Sequence, residues 1–375
     1  MTDQDGPMDR AALALDVARE VGFDLAGIAP LAPPPAAERF EGWLAEGRHG
    51  SMEYLERNRE RIVDPRSLLP EGHSILCVGL GHSRPAFALP DGARVARYAA
   101  GRDYHNVVGK RLEKLARRLA AEGFGGPWRK VVDAGPLLER SHASRAGLGF
   151  ESRAANLLHP EFGPWFFLGE LLIEEDLVPT EAPVPGSCGT CRACLDACPT
   201  GALFAPGRLH APDCISYQTI ENRGPVPREL RERLGDWAFG CDVCSEVCPF
   251  GAGTPDLAER FGAHPALRDE GLVSWLTVGE DFSTRFRGSP LQRPRRAGLA
   301  RNAAIVLGNR PSEEGRRALL RALSFDPSPL VREASSWSLG RAHGADRGVR
   351  AALERARGRE EDGGVALAID RDLAQ

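Results

Sequence analysis

No stretch of the 375 residues stays apolar for the roughly 18 positions that a membrane-spanning helix requires. The opening MTDQDGPMDR is polar and acidic, unlike a secretory signal or a twin-arginine leader. These absences lead to the expectation of a cytoplasmic, monomeric protein with no membrane partner. In a reducing cytosol the nine cysteines point to metal rather than to disulfides. Lysine is missing from residues 283–359, where 17 Arg and 6 acidic residues give a balance of +11. The net charge is −4, so the remainder carries −15. An Arg-rich tail on an acidic body suits a polyanion, nucleic acid above all; a solvated helix face that happens to use Arg is the alternative. A last absence is a single ligand. CDVCSEVCPFG (241–251) holds three cysteines, one short of the four that an iron–sulfur cube or a structural zinc needs.

What is present reads as three consecutive segments. Residues 11–21 have helical periodicity stopped by Gly22, and 107–124 repeat the pattern with Gly123 as a cap. FDLAGIA (23–29), SILCVGL (74–80), RKVVDAG (129–135) and FFLGELLI (166–173) read as strands. The expectation is an α+β or α/β catalytic domain over 1–178, a proline-rich linker at 179–187, and a two-cluster ferredoxin-like domain over 179–253. A helical region follows over 254–375. Within it RNAAIVLG (301–308) aligns with EASSWSLG (333–340) at an offset of 32, a spacing that suits HEAT-like helix pairs. The final stretch, 359–375, has little pattern and is expected to fray.

CGTCRACLDACP places Cys188, Cys191, Cys194 and Cys198 at C-x2-C-x2-C-x3-C-P, the two-cluster ferredoxin spacing, in which the fourth cysteine serves the other cluster. The first cube therefore takes Cys188, Cys191 and Cys194, with Cys248 completing it, since Cys248-Pro249 matches Cys198-Pro199. The second holds Cys198, Cys241 and Cys244 and lacks one ligand. Only Cys214 and Cys77 remain. Cys77 lies in an apolar strand, the usual place of an inert thiol, so Cys214 closes the set. Two zinc sites would use the same eight thiols, but this run is rarely a zinc pattern. At the end of the 129–135 strand, Asp133 is a candidate general acid, since carboxyls among apolar residues have raised pKa values. The other reading makes it the N-cap of a helix around Leu137.

The set RYAAGRDYH, VVDAGPLLER, RAGLG, EFGPWFFLGELL, CGTCRACLDACPTGAL, CISYQTIE, GPVPRELR and FGCDVCSEVCP resembles epoxyqueuosine reductase over about residues 10–345. The resemblance implies cobalamin, two [4Fe–4S] clusters, HEAT-like C-terminal repeats and the last step of queuosine synthesis on tRNA. It also implies an external flavodoxin- or ferredoxin-type one-electron donor. It makes Asp133 the proton donor, with Tyr104 and His105 in the same pocket. Arg57, Arg97, Tyr98, Ser216, Tyr217 and Thr219 are candidates for cofactor contacts beside Asp133, and Arg140, Arg295, Arg296 and Arg301 for tRNA. The sequence departs from the family at residues 149–153. Gly-Trp-Ile-Gly-Lys is usual there, and Gly-Phe-Glu-Ser-Arg stands here. The D-x-H-x-x-G cobalamin motif is absent; Asp103, Tyr104, His105 and Gly109 approach it with one residue too many. The rival readings are a reductive dehalogenase, which has no need of an Arg-rich tail, and a non-catalytic iron–sulfur electron carrier or RNA-binding protein.

Overall fold

The structure is a computed structural model and describes residues 7–82, 85–180, 184 and 186–374. Most of the opening decapeptide and residues 181–183 and 185 of the expected linker lie outside the described residues. The chain forms two compact units, each drawn from non-adjacent stretches. Unit 1 comprises Met1–Pro85, Asp103–Ala211 and Val243–Phe261; unit 2 comprises Ala86–Arg102, Pro212–Asp242 and Gly262–Gln375. The segment 179–253 contributes to both units. The reason is local: Trp237–Phe239 pairs in parallel with Arg94–Val95, which draws 212–242 into unit 2.

Unit 1 opens with helix α1 (Pro7–Glu20), which ends at Gly22 with φ +100°. Strand β1 (Leu25–Pro30) follows, then β2 (Ser74–Gly81), helix α2 (Tyr104–Ala121), β3 (Trp128–Val131), the short helix α3 (Glu139–Arg145) and β4 (Phe166–Ile173). The sheet order is β1-β2-β4-β3 and every pairing is antiparallel, so the unit is α+β. Asp103 starts α2 three residues earlier than the apolar pattern indicates, by accepting the His105 N–H. Val108, Leu112, Leu115, Ala116 and Leu119 form its buried stripe. The helix lies so close to β4 that a Cβ on Gly169 would meet Val108 Cγ1 at 2.6 Å. Truncating Leu112 here removes buried contact worth about 2–5 kcal/mol. Cys77 is fully buried in β2, and burial pushes its thiol well above the usual range. That agrees with an inert core residue.

Unit 2 is helical at its C-terminal end. Helices α4 (Arg295–Asn309), α5 (Glu313–Phe325), α6 (Pro329–His343), α7 (Arg347–Arg357) and α8 (Gly363–Leu373) follow one another. The two stretches aligned at an offset of 32 fall on α4 and α6, which pack together through small residues. A Cβ on Gly308 would meet Ser338 Oγ at 2.6 Å, and Ser338 Oγ donates to Ala304 O. The final stretch does not fray. Asp362 caps α8, Val365 and Ile369 are buried, and Asp372 is held by Ser336 and Arg228. Among the described residues no helix is long and apolar enough to cross a membrane.

Candidate functional site

Unit 1 holds six of the eight predicted cluster ligands, and five of them line one cavity. Cys188, Cys191, Cys194 and Cys248 line one cavity, joined by Cys244. Burial pushes the Cys194 and Cys248 thiols up, and neighbouring thiols add to it: Cys188 and Cys248 act on Cys194, Cys188 and Cys191 on Cys248. Thiols that repel one another in this way suit a shared cationic centre. Among the described residues no three His, Cys, Asp or Glu side chains converge on a point fit for one metal ion. The thiols line one common space, into which a shared metal centre would fit. At Cys198 burial raises the thiol, but main-chain N–H groups of Leu203, Thr200 and Ala202 outweigh it and lower the pKa. Cys198 and Cys244 belong to unit 1 and Cys214 and Cys241 to unit 2, so the second ligand set rests on spacing.

The loop 149–153 touches the first of these cysteine motifs. The Arg153 N–H points at Cys188 Sγ at 3.4 Å, and its guanidinium donates to Cys191 O at 3.0 Å. Gly149 packs against the Leu158 carbonyl so closely that a Cβ would stand 2.4 Å from it. Arg153 is a neighbour of the cluster cavity that spacing alone did not single out.

A second group of polar residues lies where β3 ends. The chain leaves the strand at Val131, earlier than the apolar run suggests, because Asp133 takes φ +48°. The Asp133 carboxyl is 58% exposed. It accepts from Tyr104 Oη at 2.5 Å and lies 3.2 Å from His105 Nε2. His105 Nδ1 meets Asp103 at 2.7 Å. Desolvation pulls the imidazolium down, yet the hydrogen bonds to Asp103 and Asp133 prevail and carry its pKa up to about 9. Tyr104 stacks on Phe167 with centroids 4.4 Å apart and on His105 at 4.2 Å. The N-cap of α3 is Leu138, so the capping reading of Asp133 falls. Instead the Asp133 main-chain N–H donates to Glu139 Oε1 at 2.7 Å. Sequence reasoning missed Glu139 and Glu170. The one acid in the apolar run FFLGELLI was the available signal for Glu170.

Both ring nitrogens of His105 are engaged, so the near-match to D-x-H-x-x-G supplies no imidazole for a cobalt ion. Of the other candidates, Arg57 is exposed and paired with Glu53, Arg140 is exposed, and Tyr98 and Ser216 are half-buried. The Arg97 main-chain N–H donates to Asp242, and Tyr217 is buried. Thr219 is a correction. It is fully buried, its hydroxyl donates to Ile215 O and accepts from Gly240 N–H, and nothing remains of it for a cofactor. Arg301 is another. It is fully buried and donates to the carbonyls of Gln218, Asn222 and Gly224, so it does not reach nucleic acid. Arg296 is held by Asp326 at 2.7 Å; Arg295 is exposed. Much of the tail's positive balance is matched by acids outside 283–359, as in Arg293–Glu221, Arg332–Glu360, Arg341–Glu232 and Arg357–Asp370.

Comparison with known proteins places these features. Residues 187–251 match a 4Fe-4S double cluster binding domain, and residues 63–134 match the family "Epoxyqueuosine reductase QueG, DUF1730". The epoxyqueuosine reductase of Xanthomonas campestris pv. campestris is 38% identical over 350 residues, 90% of this chain and 97% of that protein. That of Pseudomonas aeruginosa is 38% identical over 358 residues, covering 92% and 98%. A crystal structure of epoxyqueuosine reductase with an epoxyqueuosine-modified tRNA-Tyr stem loop superposes with a TM-score of 0.88 at 28% identity, covering 97% of both chains. The Bacillus subtilis enzyme, with its catalytic aspartate loop swung out of the active site, superposes at 0.87 and 28% identity over 97% of this chain and 98% of that one.

Proposed function

The chain belongs to the epoxyqueuosine reductase family, and from that premise we propose that it reduces the epoxide of epoxyqueuosine in tRNA to the alkene of queuosine, with Asp133 as proton donor. The observation that carries the reading is the Asp133 carboxyl, exposed at a strand end and held by Tyr104 and His105. Removing the epoxide oxygen takes two electrons and two protons and releases water. The departing oxygen must be protonated as its bond to carbon breaks, which is general acid work. Asp133 stands at the surface to give that proton. His105, cationic up to about pH 9, stands behind it to restore one. Tyr104, stacked on Phe167, fixes the carboxyl's direction.

Cobalamin, when bound, would supply the strongly reducing centre that the cleavage of the carbon–oxygen bond needs. Arg57, Arg97, Tyr98, Ser216 and Tyr217 stay candidates to hold it through their polar atoms. Cys188, Cys191, Cys194 and Cys248 hold one [4Fe–4S] cluster and Cys198, Cys214, Cys241 and Cys244 the other, fed by an external flavodoxin- or ferredoxin-type donor. The helical tail is read as HEAT-like. Its exposed Arg295 and the exposed Arg140 of unit 1 are candidates to meet tRNA phosphates. The test is direct. The anaerobically reconstituted protein, given cobalamin, a strong reductant and epoxyqueuosine-containing tRNA, should yield queuosine by nucleoside mass analysis. Unchanged epoxyqueuosine in protein loaded with iron and corrinoid would overturn the reading.

A further inference from the structure

Behind Asp133 lies a second acidic pair that the steps above do not use. Glu170 sits within β4, opposite Cys77 of β2 and Val131 of β3. It is fully buried, and among the described residues neither carboxyl oxygen finds a donor. Its carboxyl meets that of Glu139. Glu139 Oε1 in turn accepts the Asp133 main-chain N–H at 2.7 Å. Glu139 is half-buried and Glu170 fully buried, and two carboxylates in contact, one of them out of water, cannot both ionise without a cation between them. A buried carboxyl with no donor keeps its proton and gives it to the nearest acceptor.

We infer that Glu139 and Glu170 share one proton and together act as positioning residues for Asp133. Glu170 donates to Glu139, and Glu139 clamps the Asp133 main chain. The clamp has a definite task. Asp133 has φ +48°, a left-handed conformation that a residue with a Cβ keeps only when its surroundings impose it.

The surrounding charges leave the proton where it is. From β2, Cys77 faces Glu170 as a neutral thiol. From β3, Lys130 turns to Glu113 and Arg129 to Leu68 O. From α2, His105 is engaged by Asp103 and Asp133. From α3, Arg140 favours the Glu139 anion, while burial and Arg145 push His142 down to about 4 and keep it neutral. Burial and the Asp133 charge push both carboxyls up, while the hydrogen bond within the pair lowers Glu139 and raises Glu170, so Glu170 stands the higher and holds the proton.

The inference rests on the reading of Asp133 as the acid, and its test separates the two. Infrared spectra of the full-length protein at pH 7 should contain a protonated-carboxyl stretch that disappears in Glu170→Gln. In the wild type it should fade only as the pH is raised, a titration that needs no variant. Hydrogen exchange read on the peptide containing Asp133 should speed up about tenfold in Glu139→Ala, the loss expected for one good hydrogen bond. It should stay slow in Glu170→Gln, which keeps a neutral donor for Glu139. In turnover, Glu139→Ala should lower kcat about tenfold with KM for tRNA unchanged. Identical carboxyl bands in wild type and Glu170→Gln would overturn the shared proton. Unchanged exchange in Glu139→Ala would overturn the clamp. Full turnover in Asp133→Asn would overturn the acid assignment instead, on which neither readout depends.

Discussion

Asp133→Asn removes the transferable proton and little else. Asparagine is isosteric and tolerates a positive φ at least as well as aspartate. It keeps one carbonyl oxygen for the Tyr104 hydroxyl, and the main-chain N–H still reaches Glu139. The side chain is 58% exposed, so the change in stability should stay within about 0.5–1 kcal/mol. General acid catalysis is typically worth about 10²–10⁴-fold, which is about 2.7–5.4 kcal/mol of barrier. The two scales differ enough to be told apart. The assay is single-turnover conversion of epoxyqueuosine-containing tRNA, with iron, corrinoid and melting temperature measured on the same sample. The expected result is normal cofactor loading, normal melting and a rate lower by two orders of magnitude or more. Turnover close to wild type would refute the argument and move the proton to Tyr104 or His105, the groups in contact with that carboxyl. A collapse in melting temperature would show that the carboxylate holds the loop together.

His105 gives a pH signature. Its pKa is raised in the fold, so its contribution to stability is complete below about pH 6.5 and is lost as pH rises through about 9. Turnover should fall across that upper limit, and His105→Asn should abolish the limb; a limb that persists assigns it to another group. Cys214→Ala should lower bound iron from about eight to about four per chain while Cys77→Ala leaves it unchanged, and equal iron in wild type and Cys214→Ala would break the ligand set. Replacing the exposed Arg295, Arg321 and Arg355 by Ala should flatten the salt dependence of tRNA binding, by about 0.7–0.9 in slope for each lost phosphate contact. Arg301→Ala should instead destabilise unit 2 by roughly 3 kcal/mol or more, since several buried carbonyls lose their donor. A melting temperature equal to wild type would contradict that.

The strands, α1 and α2 were legible because their apolar periods are undisturbed and Gly22 and Gly123 end the helices with positive φ. Cys188, Cys191 and Cys194 lie close together by their spacing along one loop, and the fold brings Cys248 and Cys244 to the same cavity. What was not legible depends on partners far apart in sequence. Arginine looks the same on paper whether it faces water or a cluster of carbonyls, so Arg301 was assigned to the surface. Thr219 failed for the same reason, with its hydroxyl bound by Gly240 N–H from 21 residues away. The C-terminal stretch was expected to fray because helix α8 owes its order to Asp372 meeting Ser336 and Arg228 rather than to its own pattern. The role of Glu139 could not be read at all, because it depends on where the chain turns after β3.

The buried pair Arg301 and Asn302 has a consequence for the order of events during synthesis. Together they fill the carbonyls of Gln218, Thr219, Asn222, Gly224 and Ala238. A ribosome makes those five residues first, and they wait 64 to 83 residues for their donors. Until α4 has emerged, the stretch 212–242 is backbone with its acceptors open, and Cys214 and Cys241 ride on it. The metal loading proposed for these two cysteines then falls late in the life of the nascent chain. A chain cut short before residue 301 loses more than its helical tail, since it never fills the backbone acceptors of the stretch that carries Cys214 and Cys241.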